Sequence, residues 1–251
     1  MGRIKNDSFL ALDIETIPSG DPTEIKAEIA ETISAPATMK KSETIADWHN
    51  GVGKYAGKKE ALIEEIFRKR ALDGGTGIVI SAAYDHIGPS VSSHGNFFTA
   101  TFTQGPTDSS RSGDAKDEEN LLRTLFDYLN ISTRAPFFVG HNIRFDLEFL
   151  WKRAVILGIK PNFKLPFLGR HDVDFYCTMQ AWAGYNKYIA QDELCKILGL
   201  PKKPDDINGS NIYDHYLRND FDRIREYNKS DVKTVCSIYN KLKFQNEDAI
   251  K

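Results

Sequence analysis

Residues 9–17 are apolar on both faces of an extended chain until two carboxylates interrupt them, and Pro18-Ser19-Gly20 closes the run, which predicts a buried β-strand. Further strands are predicted over 77–84 (GIVISAAY) and 96–103 (NFFTATFT), the three forming an antiparallel meander. A loop rich in Gly, Ser, Thr and Asp over 105–116 leads into an amphipathic helix over 118–129, where Leu121, Leu122, Leu125, Phe126 and Leu129 recur at helical spacing. The alternation then becomes strand and helix. A strand over 136–140 (PFFVG) precedes a helix over 142–157, with Asn142 as its cap and Ile143, Leu147, Leu150, Trp151, Ala154 and Leu157 as one apolar stripe. A short fifth strand is predicted around 171–174, and helices over 176–183, 191–198, 211–218 and 221–242. A meander followed by strand and helix alternation makes an α/β protein, a mixed five-stranded sheet flanked by helices.

About 60 residues separate the first two strands, too many for an ordinary connection, so 18–76 is read as an insertion after the first strand within a single domain spanning 1–251. Its best-defined piece is a helix over 59–72. Lys54, Lys58, Lys59, Arg68, Lys69 and Arg70 cluster there, interrupted by Glu60, Glu64 and Glu65. Both a solvated helix face and a nucleic-acid contact fit that cluster.

Composition narrows the class. A length of 251 residues with 41% hydrophobic content is enough for a substantial core, and no apolar stretch approaches the roughly 18 residues needed to span a bilayer. Nothing in the first 20 residues has the pattern of a signal peptide. Cys177, Cys195 and Cys236 form no Cys-x-x-Cys pair, which speaks against a zinc site or a disulfide framework and for a reducing cytoplasm. The net charge of −2 argues against a protein that coats nucleic acid through a basic surface, yet leaves a nuclease open, because bound cations can neutralise an acidic site.

Three short patterns carry candidate chemistry. Asp-x-Glu occurs at 13–15, 117–119 and 146–148, so the pattern alone decides nothing. Only Asp13 and Glu15 end a strongly apolar strand, where residues two apart share a face. Two such carboxylates repel unless a cation lies between them, and their hard oxygens suit Mg²⁺ or Mn²⁺. Solvated acids at an exposed strand end are the alternative. In Gly140-His141-Asn142-Ile143-Arg144-Phe145-Asp146 a buried strand turns directly into a helix, and Asp146 falls in the first turn, where the dipole favours a negative charge in any case. His141 is read as a solvent-exposed polar residue rather than a base. In Tyr227-Asn228-Lys229-Ser230-Asp231 the spacing of four puts Tyr227 and Asp231 on one helix face, which also suits a purely structural Tyr–Asp pair.

In their order along the chain these three patterns match the exonuclease motifs of the DEDD superfamily, and Tyr227 resembles its DEDDy branch. Gln191 to Pro201 (QDELCKILGLP), Asn208-Gly209-Ser210 and Arg225-Glu226-Tyr227 are similar to the predicted 3′–5′ exonucleases related to the proofreading domain of family B DNA polymerases. Ile33-Ser34-Ala35-Pro36 and Ala71-Leu72-Asp73-Gly74-Gly75 bear a weaker likeness to phage members of that group. The resemblance implies a ribonuclease H-like fold and two divalent cations, Mg²⁺ or Mn²⁺. One would be held by Asp13, Glu15 and Asp231, the other by Asp13 with water-mediated help from Asp146. It implies that Tyr227 orients the attacking water, that Thr16 and Ile17 contact the terminal nucleotide, and that Asn142 and Phe145 border the penultimate one, with Phe145 equally readable as core. The implied activity is release of nucleoside 5′-monophosphates from single-stranded DNA, with RNA as the other polymer of the same chemistry and an inactive binding scaffold as the reading of another class. Any proofreading role would require a separate replication or repair partner, and no membrane is involved. Asn228 stands where Cys is frequent in close relatives and is expected to point away from the site.

Overall fold

The computed structural model describes residues 9–87, 98–101, 112–130, 137–163, 175–201 and 203–244. Strand β1 (Phe9–Pro18) pairs antiparallel with β2 (Gly77–Ile87), which pairs antiparallel with β3 (Phe98–Thr101). On its other edge β1 runs parallel to β4 (Phe137–Gly140), and β4 parallel to β5 (Phe175–Cys177). The sheet order is β3-β2-β1-β4-β5, mixed as expected, with β1 at its centre and helices against it. Central placement explains why β1 reads as apolar on both faces: Leu10, Leu12 and Ile14 enter the main core, while Ala11 joins a smaller cluster on the opposite face.

The helices at the carboxyl side of the sequence follow the hydrophobic period closely. Helix α4 (Ser112–Asn130) begins before the predicted start and takes in the end of the expected loop, while 105–111 lie outside the described residues. Helix α5 (Ile143–Ile156) buries Ile143, Leu147, Leu150 and Ala154, but Trp151 is 41% exposed and Phe149 takes its place inward. Asn142 does precede α5, yet it adopts the left-handed conformation (φ 65°) and its side chain makes no capping hydrogen bond. The strand expected around 171–174 falls outside the described residues. Strand β5 occupies the start of the predicted 176–183 helix, leaving α6 as Thr178–Ala183. Helices α7 (Gln191–Leu198), α8 (Ile212–Leu217) and α9 (Phe221–Leu242) complete the described fold.

Between β1 and β2 the chain forms α1 (Pro22–Thr32), α2 (Ser42–His49), a 3₁₀ turn (Gly53–Tyr55), α3 (Lys58–Lys69) and a second 3₁₀ turn (Arg70–Leu72). The basic cluster is largely committed within the protein. Arg68 makes a two-pronged contact to Asp214 of α8 at 2.7 and 3.0 Å and donates to Glu64, Lys69 pairs with Glu65, and Lys54 and Lys58 lie over the Tyr55 ring. These pairings favour the solvated-face reading over a nucleic-acid contact.

A buried ion pair fastens the far side of the sheet. The β1–β2 register shifts between Glu15 and Thr16, and just beyond the shift Val79 donates its amide to Glu118 Oε1 at 2.9 Å. Arg153 of α5 donates to both oxygens of Glu118, at 2.8 and 2.6 Å, and to the Gly74 carbonyl at 3.1 Å. Gly74 must lack a side chain, since a Cβ there would lie 2.9 Å from Lys152 Cβ and 3.0 Å from the Phe149 carbonyl. Removing one member leaves the other charge buried and alone. Glu118→Ala is therefore expected to cost roughly 3–5 kcal/mol in urea unfolding, and the Glu118→Leu/Arg153→Met pair to recover most of that loss.

Candidate active site

The carboxyl end of β1 brings Asp13 and Glu15 to one face of the strand, the face on which Ala11 meets α9. Small residues allow that approach, with Ala11 and Ala83 packing beside Val232 and Val235. Helix α9 thereby delivers Asp231 to the strand. Carboxylate oxygens of Asp13, Glu15 and Asp231 all lie within 4.8 Å of one another. Asp146 enters from the first turn of α5, buried, and its Oδ1 accepts the Ile14 amide at 3.1 Å, the amide between the two β1 acids. All four predicted acidic residues thus meet at the end of the central strand.

Such a cluster is electrostatically costly. Burial, and after it the charge of Asp231, pushes Asp13 up to about 8, with Lys203 and the Asn228 amide pulling the other way. Burial comes first for Glu15 and Asp146 as well, followed by the Asp13 charge, and both are held well above the ordinary carboxylate range. Asp231 is raised by burial against Lys203 and a hydrogen bond from Tyr227. Tyr227 is itself pushed upward by burial and then by Asp231, so its hydroxyl keeps its proton at neutral pH.

Two contributors were not legible as site residues. Asn228 was expected to point away, yet it is buried, donates from Nδ2 to Asp13 Oδ2 at 2.6 Å and accepts from Ser81 Oγ at 2.9 Å. The signal was available: residue 228 is four positions from Ile224 and so lies on the buried stripe. Lys203 places Nζ 2.7 Å from Asp231 Oδ1 and 5.5 Å from the centre of the Tyr227 ring. No spacing distinguishes it among 33 lysines and arginines.

The residues expected to touch substrate differ in exposure. Ile17 is fully buried in the core, so its side chain cannot meet a nucleotide, and the expectation is corrected there. Thr16 is half-buried and its hydroxyl donates to the Ala71 carbonyl at 2.7 Å. Asn142 is exposed beside the cluster, and Phe145 is half-buried against the core with its ring 5.6 Å from that of Phe149. His141 proves structural rather than solvent-facing. Its Nε2 lies 2.9 Å from the Ile189 carbonyl, which can only accept, so that nitrogen carries the proton and Nδ1 faces Thr178 Oγ1 at 3.0 Å. Burial lowers its pKa.

Residues 108–248, more than half the chain, match the family described as predicted 3′–5′ exonucleases related to the exonuclease domain of PolB. The chain belongs to that family. It is accordingly an exonuclease. The matched segment holds Asp146, Tyr227 and Asp231, and the fold supplies Asp13 and Glu15 to this exonuclease from β1, outside the match. No curated protein matches the chain. Among the described residues no helix is long and apolar enough to cross a membrane.

The donor set fits a hard divalent cation. The three carboxylates bring hard oxygens within 4.8 Å of one another, Glu15 and Asp231 buried and Asp13 half-buried, with Lys203 Nζ 2.7 Å from Asp231 Oδ1 as the one cation in contact with them among the described residues. A carboxylate whose pKa is raised on folding stabilises the fold fully below its ordinary value and loses that contribution as pH rises through the raised one. The cation-free protein should therefore lose thermal stability between about pH 4 and about pH 8 through Asp13. His141 acts in the opposite sense as pH falls below its ordinary value, and comparison with Asp13→Asn cancels it. Asp13→Asn should melt above wild type at pH 8 in EDTA, with the difference shrinking toward pH 4. Mn²⁺ at about a hundred times its dissociation constant should raise the wild-type melting temperature by roughly 5–10 °C, and that of Asp13→Asn by much less.

Proposed function

We propose that the protein hydrolyses single-stranded DNA from its 3′ end to nucleoside 5′-monophosphates, as a DEDDy enzyme on a ribonuclease H-like fold using two divalent cations. The observation that carries this reading is the convergence of Asp13, Glu15 and Asp231 within 4.8 Å beside the buried Asp146. A pure scaffold gains nothing from clustered buried carboxylates, each of which costs stability while it is charged.

Asp13, Glu15 and Asp231 would hold one Mg²⁺ or Mn²⁺, and Asp13 with Asp146 the second. Bound there, the cations supply a water of lowered pKa and charge neutralisation for the leaving 3′ oxygen. The chain's own groups set the geometry. Asn228 fixes one oxygen of Asp13, and the Ile14 amide fixes Asp146. The Tyr227 hydroxyl, kept protonated and bonded to Asp231, can hold a water by hydrogen bonding but cannot remove its proton. A positioning role for Tyr227 follows. Thr16, Asn142 and Phe145 are the residues assigned to the two terminal nucleotides. The reading includes a reducing cytoplasmic setting, supported by three free cysteines, and a separate replication or repair partner for any proofreading.

RNA is the second substrate reading, since phosphate and sugar are common to both polymers, and matched DNA and RNA strands labelled at the 5′ end discriminate them. The expected result is Mn²⁺-dependent mononucleotide release, faster on DNA and abolished by EDTA. Loss of groups behind a metal ligand costs 10–100-fold in many sites, so Asp231→Asn should lose more than about a hundredfold. Tyr227→Phe should lower kcat by about 10–100-fold with little change in KM. Full activity in either Asp13→Ala or Asp231→Asn would sink the proposal.

A further inference from the structure

Resting on that reading, we infer that the exposed aromatic segment Trp182, Tyr185 and Tyr188 is a stacking platform for the single strand upstream of the two terminal nucleotides. Three of the large apolar side chains exposed among the described residues fall within these seven positions, at 44%, 51% and 77% exposure. Trp182 lies in the last turn of α6, and Tyr185 and Tyr188 lie between α6 and α7 with the exposed Lys187 between the two tyrosines.

The segment is tied at its carboxyl end to the proposed site. Ile189 is buried and its carbonyl accepts from His141, the residue before the exposed Asn142. Two residues on, Gln191 donates to the Asp231 backbone carbonyl at 3.3 Å. Tyr188 therefore projects outward directly beside an inward anchor, next to the strand-to-helix junction that carries Asp146. Trp182 has its own tie, through Thr178 at the start of α6, whose hydroxyl oxygen lies 3.0 Å from His141 Nδ1 and 3.2 Å from the Gly140 carbonyl. The aromatic rings are mounted on elements that also define the catalytic end of the sheet.

The occupant follows from the chemistry. Every base presents a π-face, and stacking on aromatic side chains is tolerant of sequence, as a processive or distributive trimming enzyme requires. The protein has a net charge of −2 and only Lys187 provides a cation within the segment, so affinity should come from rings more than from phosphate neutralisation. A weak dependence on salt is the corresponding signature. An extended strand spaces its bases so that several can meet separate rings along such a segment.

The test compares wild type with Trp182→Ala/Tyr185→Ala/Tyr188→Ala and with Tyr185→Phe/Tyr188→Phe. Release of 5′-mononucleotides is measured on oligo(dT) substrates from 2 to 12 nucleotides, and binding of 5′-fluorescein-labelled 12-mer is followed by anisotropy in EDTA. In wild type kcat/KM should rise with length. The alanine variant should lose about tenfold or more of that rise, chiefly through KM, and bind the 12-mer about tenfold more weakly, while the phenylalanine variant keeps both. An unchanged length dependence and affinity in the alanine variant overturns the platform, as does an equal loss in the phenylalanine variant. Absence of any nucleotide release by wild type would instead reject the exonuclease chemistry on DNA. The anisotropy comparison would then decide the platform by itself, tenfold weakening supporting it and equal affinity rejecting it.

Discussion

Mutual repulsion among four acids at the end of β1 is the constraint around which the rest of the molecule is arranged. Asp13, Glu15, Asp146 and Asp231 would repel one another and resist leaving water, and together they outnumber the single ammonium that Lys203 contributes among the described residues. The fold tolerates them because each is restrained by something else. Asn228 and Ser81 hold Asp13, the Ile14 amide holds Asp146, and Tyr227 with Lys203 holds Asp231. The stability that the cluster withholds comes from elsewhere, from the two-faced burial of the central strand.

This arrangement separates two kinds of buried charge. Glu118 and Arg153 satisfy one another at short range and both prongs are used, so no ligand is needed to complete them. The acids at β1 lack such a counterpart, and a single lysine does not balance them. Stored repulsion of this kind is what a divalent cation relieves on binding, which makes affinity for the ion and instability without it two aspects of one electrostatic term.

Strong periodicity was readable wherever one face alone is buried. The bounds of α7 and α9 follow from it directly, and β1 from its apolar run and its Pro-Ser-Gly stop. Helix α1 escaped because it buries only Ile25 and Ile29, although Asp21 followed by Pro22 is an N-terminal signal, with the Asp21 side chain accepting from Thr23 and Glu24. Ile17 misled because adjacency to Asp13 and Glu15 in the chain says nothing about which way a strand side chain faces. Asn228 misled for the converse reason, since a polar residue on a buried stripe is hard to place until its partner is known. Partners such as Ser81 and Asp13 come from distant strands, and pairings of that kind leave no local trace.

The position of Asp231 on the last described helix has a consequence for biosynthesis. Residues 13 and 231 are 218 positions apart in the sequence, yet both belong to the acidic cage. A growing polypeptide carries Asp13 and Glu15 long before Asp231 is translated, and any product terminated earlier lacks it altogether. The cluster of Asp13, Glu15 and Asp231 is thus incomplete in the nascent chain until α9 has been made and has docked against β1.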